Sequence, residues 1–105
     1  MEAKTEILVV GNHEKIMEIL IRHINYNEKW NATPAKTIEE AKTIFEQKAF
    51  DIVLLSSGFD ESTEQQLAAY FESIKPNIEV VPHYGGGTGL LQNEIYAAVE
   101  RIKSK

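Results

Sequence analysis

Polar residues of several chemical types follow three apolar stretches of the chain. Asn12 and His13 follow the first stretch, Ser56 and Ser57 follow a later one, and His83 precedes a glycine-rich segment. A serine beside a histidine can act as a nucleophile with its base. Histidines with a carboxylate can hold zinc, and backbone amides at a helix N-terminus can bind phosphate. Residue type alone therefore raises three kinds of chemistry.

The patterns for hydrolysis and for zinc are both incomplete. The serine pair lacks the glycine elbow of hydrolases and has no evident orienting acid, so it can simply close a strand by bonding its own backbone. His13 and His83 match no known ligand spacing, even with an oxygen from Glu14, Asp60 or Glu61, and can equally be solvated loop residues. We therefore expect no catalytic residue, no metal and no cofactor.

The glycine-rich segment is the third feature. It precedes a helix, but no P-loop lysine follows and its spacing is not GxGxxG. It can bind a phosphate or serve as a flexible connection. We keep as tentative ligand-binding residues Asn12, His13, Ser56, Ser57, His83, Gly85, Gly86, Gly87 and Thr88.

Composition narrows the class of protein. The 105 residues are 43% hydrophobic and 26% charged, which predicts one globular domain spanning 1–105. The absence of cysteine excludes disulfides, thiolate metal sites and cysteine nucleophiles. A net charge of −5 disfavours nucleic acid as a partner. With no long apolar run and no signal-peptide pattern, we expect a soluble, cytoplasmic protein that does not contact a membrane.

Apolar stretches and helical patterns alternate along the chain. Strands are predicted at 4–10, 29–35, 51–55 and 78–82, and helices at 13–25, from 37 onward, at 61–74 and near the C-terminus. Continuous apolar runs indicate strands buried on both faces, and Pro34 places the second strand at an edge. Thr37 and Glu40 form a capping box. Ile74 is predicted to point inward, and Trp30 is predicted to be either an exposed contact residue or a half-buried one.

This alternation predicts an α/β protein in which helices cover both faces of a parallel sheet. Ligands of such sheets bind beyond the carboxyl ends of the strands. The tentative ligand-binding residues all follow predicted strands, so we expect them at this rim.

Two stretches, ILVVGNHE at 7–14 and DIVLLS at 51–56, resemble the receiver domain of two-component response regulators. A helix that begins TIEEA at 37–41 precedes the second stretch, as family members often have. The resemblance runs from Ile7 to about Val81 and includes the last helix. It implies a CheY-like, flavodoxin-like three-layer sandwich with strand order 2-1-3-4.

The family's chemistry is not retained at the matching positions. Receivers carry a phosphoacceptor aspartate where this chain has Ser56, and a magnesium-binding acidic pair where it has Gly11 and Asn12. The hydroxyl residue that ends the fourth strand is replaced by either His83 or Tyr84, and the family's lysine has no counterpart. The resemblance therefore implies a degenerate pseudo-receiver that cannot undergo aspartyl phosphorylation.

The chain is also shorter than a complete receiver, because only eight positions, 82–89, separate the fourth strand from the last helix. One helix and the fifth strand are predicted to be missing, which leaves the fourth strand as an open edge. We expect a protein partner there, above all a second copy in a homodimer. The predicted function is a non-catalytic signalling or protein-interaction module. The alternative is a sensor that binds a small molecule, phosphate or nucleotide at the rim.

Overall fold

Four parallel strands alternate with four helices in the computed structural model, which describes residues 4–56, 59–83 and 91–104. The elements are β1 (Thr5–Val10), α1 (Glu14–Asn25), β2 (Trp30–Ala35), α2 (Ile38–Gln47), β3 (Ile52–Leu55), α3 (Glu61–Ile74), β4 (Glu79–Pro82) and α4 (Leu91–Lys103). The sheet order is β2-β1-β3-β4, which confirms the predicted order. None of the described helices is both long enough and apolar enough to cross a bilayer.

The sheet lies between two helical layers. One core cluster joins alternate strand residues such as Ile7 and Val9 to apolar residues of α1 and α4. A second cluster joins the other alternate residues, such as Leu8 and Val10, to apolar residues of α2 and α3. Because β1 and β3 bury side chains on both faces, their sequences are continuous apolar runs rather than alternating ones. The predicted three-layer arrangement is confirmed.

Side-chain caps fix where the helices begin. Thr37 Oγ1 accepts from the Glu40 amide at 3.0 Å, as the capping box predicts. Asp60 Oδ1 accepts from the Thr63 amide at 2.7 Å, so a side chain also defines the start of α3. These contacts satisfy amide groups that have no partner within their own helix.

Two predictions of exposure differ from the structure. Ile74 was predicted to point inward but is 46% exposed, since it is the final residue of α3 and no further turn screens it from solvent. Trp30 is only 4% exposed, so it is not a surface contact residue. Its ring packs edge-on against Tyr96 of α4, with centroids 5.0 Å apart. The indole therefore ties the edge strand β2 to the last helix.

Candidate functional site

The residues that follow β1, β3 and β4 lie side by side at the rim of the sheet. The Ser56 amide donates to the Val10 carbonyl at 2.9 Å, and the His83 amide donates to the Leu55 carbonyl at 2.7 Å. These bonds continue the ladder one residue past the registered pairs of the strands. Gly11, Ser56 and His83 are thereby adjacent in register. His83, the first of the two alternatives from the sequence, is the residue that stands beside Ser56.

Gly11 and Ser56 are packed too closely for any side chain at position 11. A Cβ atom on Gly11 would lie 2.3 Å from Ser56 Oγ, 2.9 Å from Ser56 Cβ and 2.8 Å from Met17 Sδ. Ser56 is buried, at 1% exposure. The serine side chain therefore occupies the space into which an acidic side chain at position 11 would have to extend.

His83 is a buried residue with a specific partner. Its side chain is 2% exposed, and Nδ1 lies 2.5 Å from Oε1 of Glu94 in the first turn of α4. Glu94 is itself only 22% exposed. A buried polar ring needs such a partner, since an unpaired one would lose its hydrogen bonds to water. The pair therefore fastens the carboxyl end of β4 to α4, and His83 has a structural role.

Asn12 and His13 are exposed and begin α1. His13 is the N-cap of this helix, and its Nδ1 accepts from the Ile16 amide at 3.4 Å. The Nδ1 atoms of the two histidines therefore have separate partners: the Ile16 amide for His13 and the Glu94 carboxylate for His83. Within the described ranges, no group of three or more metal-ligating side chains is assembled.

Asp60, a possible oxygen ligand by sequence, is also used by the fold. Hydrogen bonds from Thr63 to the Asp60 carboxylate lower the pKa of Asp60 from its ordinary value. The carboxylate caps α3 in this arrangement. The remaining tentative residues, Ser57, Gly85, Gly86, Gly87 and Thr88, lie outside the described residues, as does Tyr84.

A groove of about 500 Å³ runs from the rim along α1 to the edge strand β2. Its apolar part contains Met17, Ile21 and Pro34, and its volume is within the range of small-molecule sites. Charged and polar side chains complete it: Asn12, Glu14, Glu18, Arg22 and Lys36. Of the tentative ligand-binding residues that the structure describes, Asn12 lines this groove, whereas His13, Ser56 and His83 do not.

Sequence reasoning missed the groove because it concentrated on residues that follow strands. The available signal was the boundary of the apolar stripe on α1, where Met17 and Ile21 adjoin charged positions. Proline on the neighbouring edge strand was the second signal. Their proximity depends on how α1 packs on β2, and the amino-acid pattern of either element does not specify that packing.

Comparison with solved structures places this architecture among receiver domains. The response regulator protein TrrA from Thermotoga maritima, solved in complex with Mg²⁺ and BeF, superposes with a TM-score of 0.72 at 17% identity, covering 90% of this chain and 98% of its own. The non-phosphorylated receiver domain of HemR from Leptospira biflexa gives 0.66 at 22% identity, covering 97% and 96%. A response regulator receiver domain protein from Clostridium thermocellum gives 0.64 at 21%, covering 91% and 75%.

Sequence comparison adds no closer assignment. No protein-family model matches the chain, and no curated protein matches it. Identities of this size, with near-complete coverage, establish the architecture and leave the chemistry to be argued from the residues. The chain has the CheY-like, flavodoxin-like fold of response regulator receiver domains.

Proposed function

We propose that this chain is a signalling module with the receiver fold that is not phosphorylated on an aspartate. In this proposal it acts through protein contacts and is not an enzyme. The single observation that carries it is the buried contact between Ser56 and Gly11 at the rim. These positions correspond, by resemblance, to the receiver's phosphoacceptor and to one member of its acidic pair.

The chemical argument begins with the nucleophile. An acyl phosphate forms on a carboxylate, and serine has none. A hydroxyl would need a neighbouring base to become a nucleophile. The nearest histidine in register, His83, directs Nδ1 to Glu94. This arrangement supports a structural role for the end of β3.

The second argument concerns the metal. Mg²⁺ prefers hard oxygen ligands and usually one or two carboxylates. Position 11 has no side chain, and its neighbour Ser56 fills the space that one would need. Asn12 supplies a neutral amide oxygen. The described rim therefore lacks the paired negative charge that holds magnesium near a phosphoryl group.

A titration with Mg²⁺ and beryllofluoride, followed by ¹⁵N–¹H correlation spectra, tests the proposal. Beryllofluoride mimics a phosphoryl group on a carboxylate, and the TrrA structure was solved with it bound. We expect no saturable shifts at Gly11, Asn12 or Ser56, with TrrA as the positive control. Saturable shifts that require both Mg²⁺ and beryllofluoride would contradict the proposal.

The groove along α1 favours a second candidate function, in which the chain binds a small molecule. Asn12 and the apolar residues Met17 and Ile21 would contact the ligand. The test is a screen of small nucleotides and amphipathic metabolites by the same spectra. Saturable shifts at these residues that are weakened in Arg22→Glu, a change at an exposed residue of the groove, would support binding, whereas shifts elsewhere would not.

A further inference from the structure

The two edges of the sheet present different backbone groups. In a parallel ladder, successive residues direct their N–H and C=O groups to opposite sides of the strand. The Gly11 amide donates to the Ala35 carbonyl, so Ala35 directs its backbone groups towards β1. Trp30, Ala32 and Pro34 alternate with residues of that kind, so their backbone groups are directed outward, away from β1. The sheet can therefore be extended only where outward groups remain available.

The outward donors of β2 are already satisfied or absent. The Trp30 amide donates to the Asn27 carbonyl at 3.0 Å. The Ala32 amide donates to Asn25 Oδ1 at 2.8 Å. Pro34 has no amide hydrogen. This edge is closed to a further strand.

The edge at β4 differs. In the described part of the chain, β4 pairs with β3 alone. Because the Glu79 and His83 amides donate towards β3, the N–H and C=O groups of Val80 are directed away from it. Pro82, also outward, offers only its carbonyl.

The side chains of Glu79 and Val80 do not cover the outward backbone groups of this edge. Glu79 is held by Arg101 of α4, with Nε 2.5 Å from Oε1, so it lies over the face of the sheet that α1 and α4 cover. The Val80 side chain packs against the opposite core cluster, with residues of α2 and α3. Both side chains are thus held on the faces of the sheet, and the backbone of Val80 is left at its edge.

We infer that the β4 edge pairs antiparallel with the β4 edge of a second copy of this chain. This inference rests on the proposed function, for which it names the partner. Val80 supplies both a donor and an acceptor, so a two-fold axis lets each chain contribute the same bonds to the other. Pro82 limits the pairing to a short segment, which makes the dimer weak and dependent on concentration.

Closure of the β2 edge determines the size of the assembly. A second open edge on each chain would allow strand addition to continue into a filament. With the β2 edge closed by Asn25, Asn27 and Pro34, pairing at β4 stops at two chains. The assembly is therefore a closed dimer with one eight-stranded sheet.

Sedimentation equilibrium over a range of concentrations tests this inference with two variants. Val80→Pro removes the outward donor without removing a ladder bond to β3, and Val80→Ala is the matched control that keeps the amide. We expect the wild type and Val80→Ala to dimerise reversibly. We expect Val80→Pro to associate at least about tenfold more weakly, since two hydrogen bonds are lost per dimer.

Amide exchange of the wild type provides a measurement that does not depend on any variant folding. The Val80 amide is expected to gain protection as concentration rises, while the Trp30 and Ala32 amides stay unchanged. A monomer at every concentration, a dimer indifferent to Val80→Pro when that variant is folded, or a Val80 amide already protected in the monomer would overturn the inference. Each of these results leaves the proposed loss of phosphorylation intact, because that proposal is tested separately, by the beryllofluoride titration.

Discussion

Ser56 Oγ lies 2.3 Å from the point at which a side chain on Gly11 would begin. The two residues are far apart in sequence, and the parallel pairing of β1 with β3 brings them together at the rim. The φ angle of Gly11 lies outside the left-handed region, so glycine is required there by close approach. The Ser56 side chain therefore fills the space at the rim into which a side chain at position 11 would extend.

A methyl group at position 11 should therefore destabilise the fold through its contact with Ser56. We expect Gly11→Ala to lower the free energy of unfolding by about 1–3 kcal/mol, the usual cost of overpacking. The effect should be smaller when Ser56 is replaced by glycine, which removes two of the three close atoms and leaves only Met17 Sδ. Urea denaturation of the two single variants and the double variant measures this coupling. Strict additivity of the two substitutions would mean that the contact is not tight.

Loss of the carboxylate at Glu94 should leave the buried His83 ring without its partner. We expect Glu94→Ala to lower the free energy of unfolding by about 1–3 kcal/mol. Glu100→Ala, in the same helix, is the matched control, because Glu100 is 74% exposed and its contact with Lys103 is 3.9 Å long. The control should cost at most about 1 kcal/mol. Equal losses in both variants would show that the His83–Glu94 pair adds nothing to stability.

Acid should destabilise the fold in part through Glu6. Burial raises the pKa of Glu6, but hydrogen bonds from Lys48 and Asn31 and the charge of Lys48 together lower it below its ordinary value of 4.5. A carboxyl whose pKa is lower in the folded state stabilises the fold above its unfolded pKa. This contribution is lost as pH falls through the folded pKa.

The measurement for Glu6 is the free energy of unfolding as a function of pH. Glu6→Gln should flatten the decline that begins near pH 4.5. Glu28→Gln, at an exposed position, is the control and should leave the decline unchanged. A decline of the same steepness in Glu6→Gln would assign it to other carboxyl groups.

Most of the fold could be predicted from the sequence because its signals are local. Continuous apolar runs identified β1 and β3, the Thr37 capping box located the start of α2, and Pro34 assigned β2 to an edge. Each of these features acts over a few residues. The strand order then followed from the resemblance to receivers, and the structure has the same order.

The rim was less predictable because its contacts join distant elements. Nothing in the sequence near His83 indicates that α4 places Glu94 against it. Likewise, the apolar residues before Ser56 do not indicate that its side chain packs closely against Gly11. His13 remains a tentative ligand-binding residue, and the structure adds a role as helix cap that its type did not indicate. Residue type indicates what a side chain can do, whereas packing decides which of its groups are available.

The central claim is that this receiver fold does not form an aspartyl phosphate, and intact-protein mass spectrometry tests it most directly. The purified chain is incubated with Mg²⁺ and acetyl phosphate, beside TrrA as a control under the same conditions. The account predicts that the control gains the mass of one phosphoryl group and that this chain remains unmodified, because Ser56 and Gly11 leave no carboxylate at the end of β3. A Mg²⁺-dependent gain of one phosphoryl group that is lost under mild base, as an acyl phosphate would be, would contradict it.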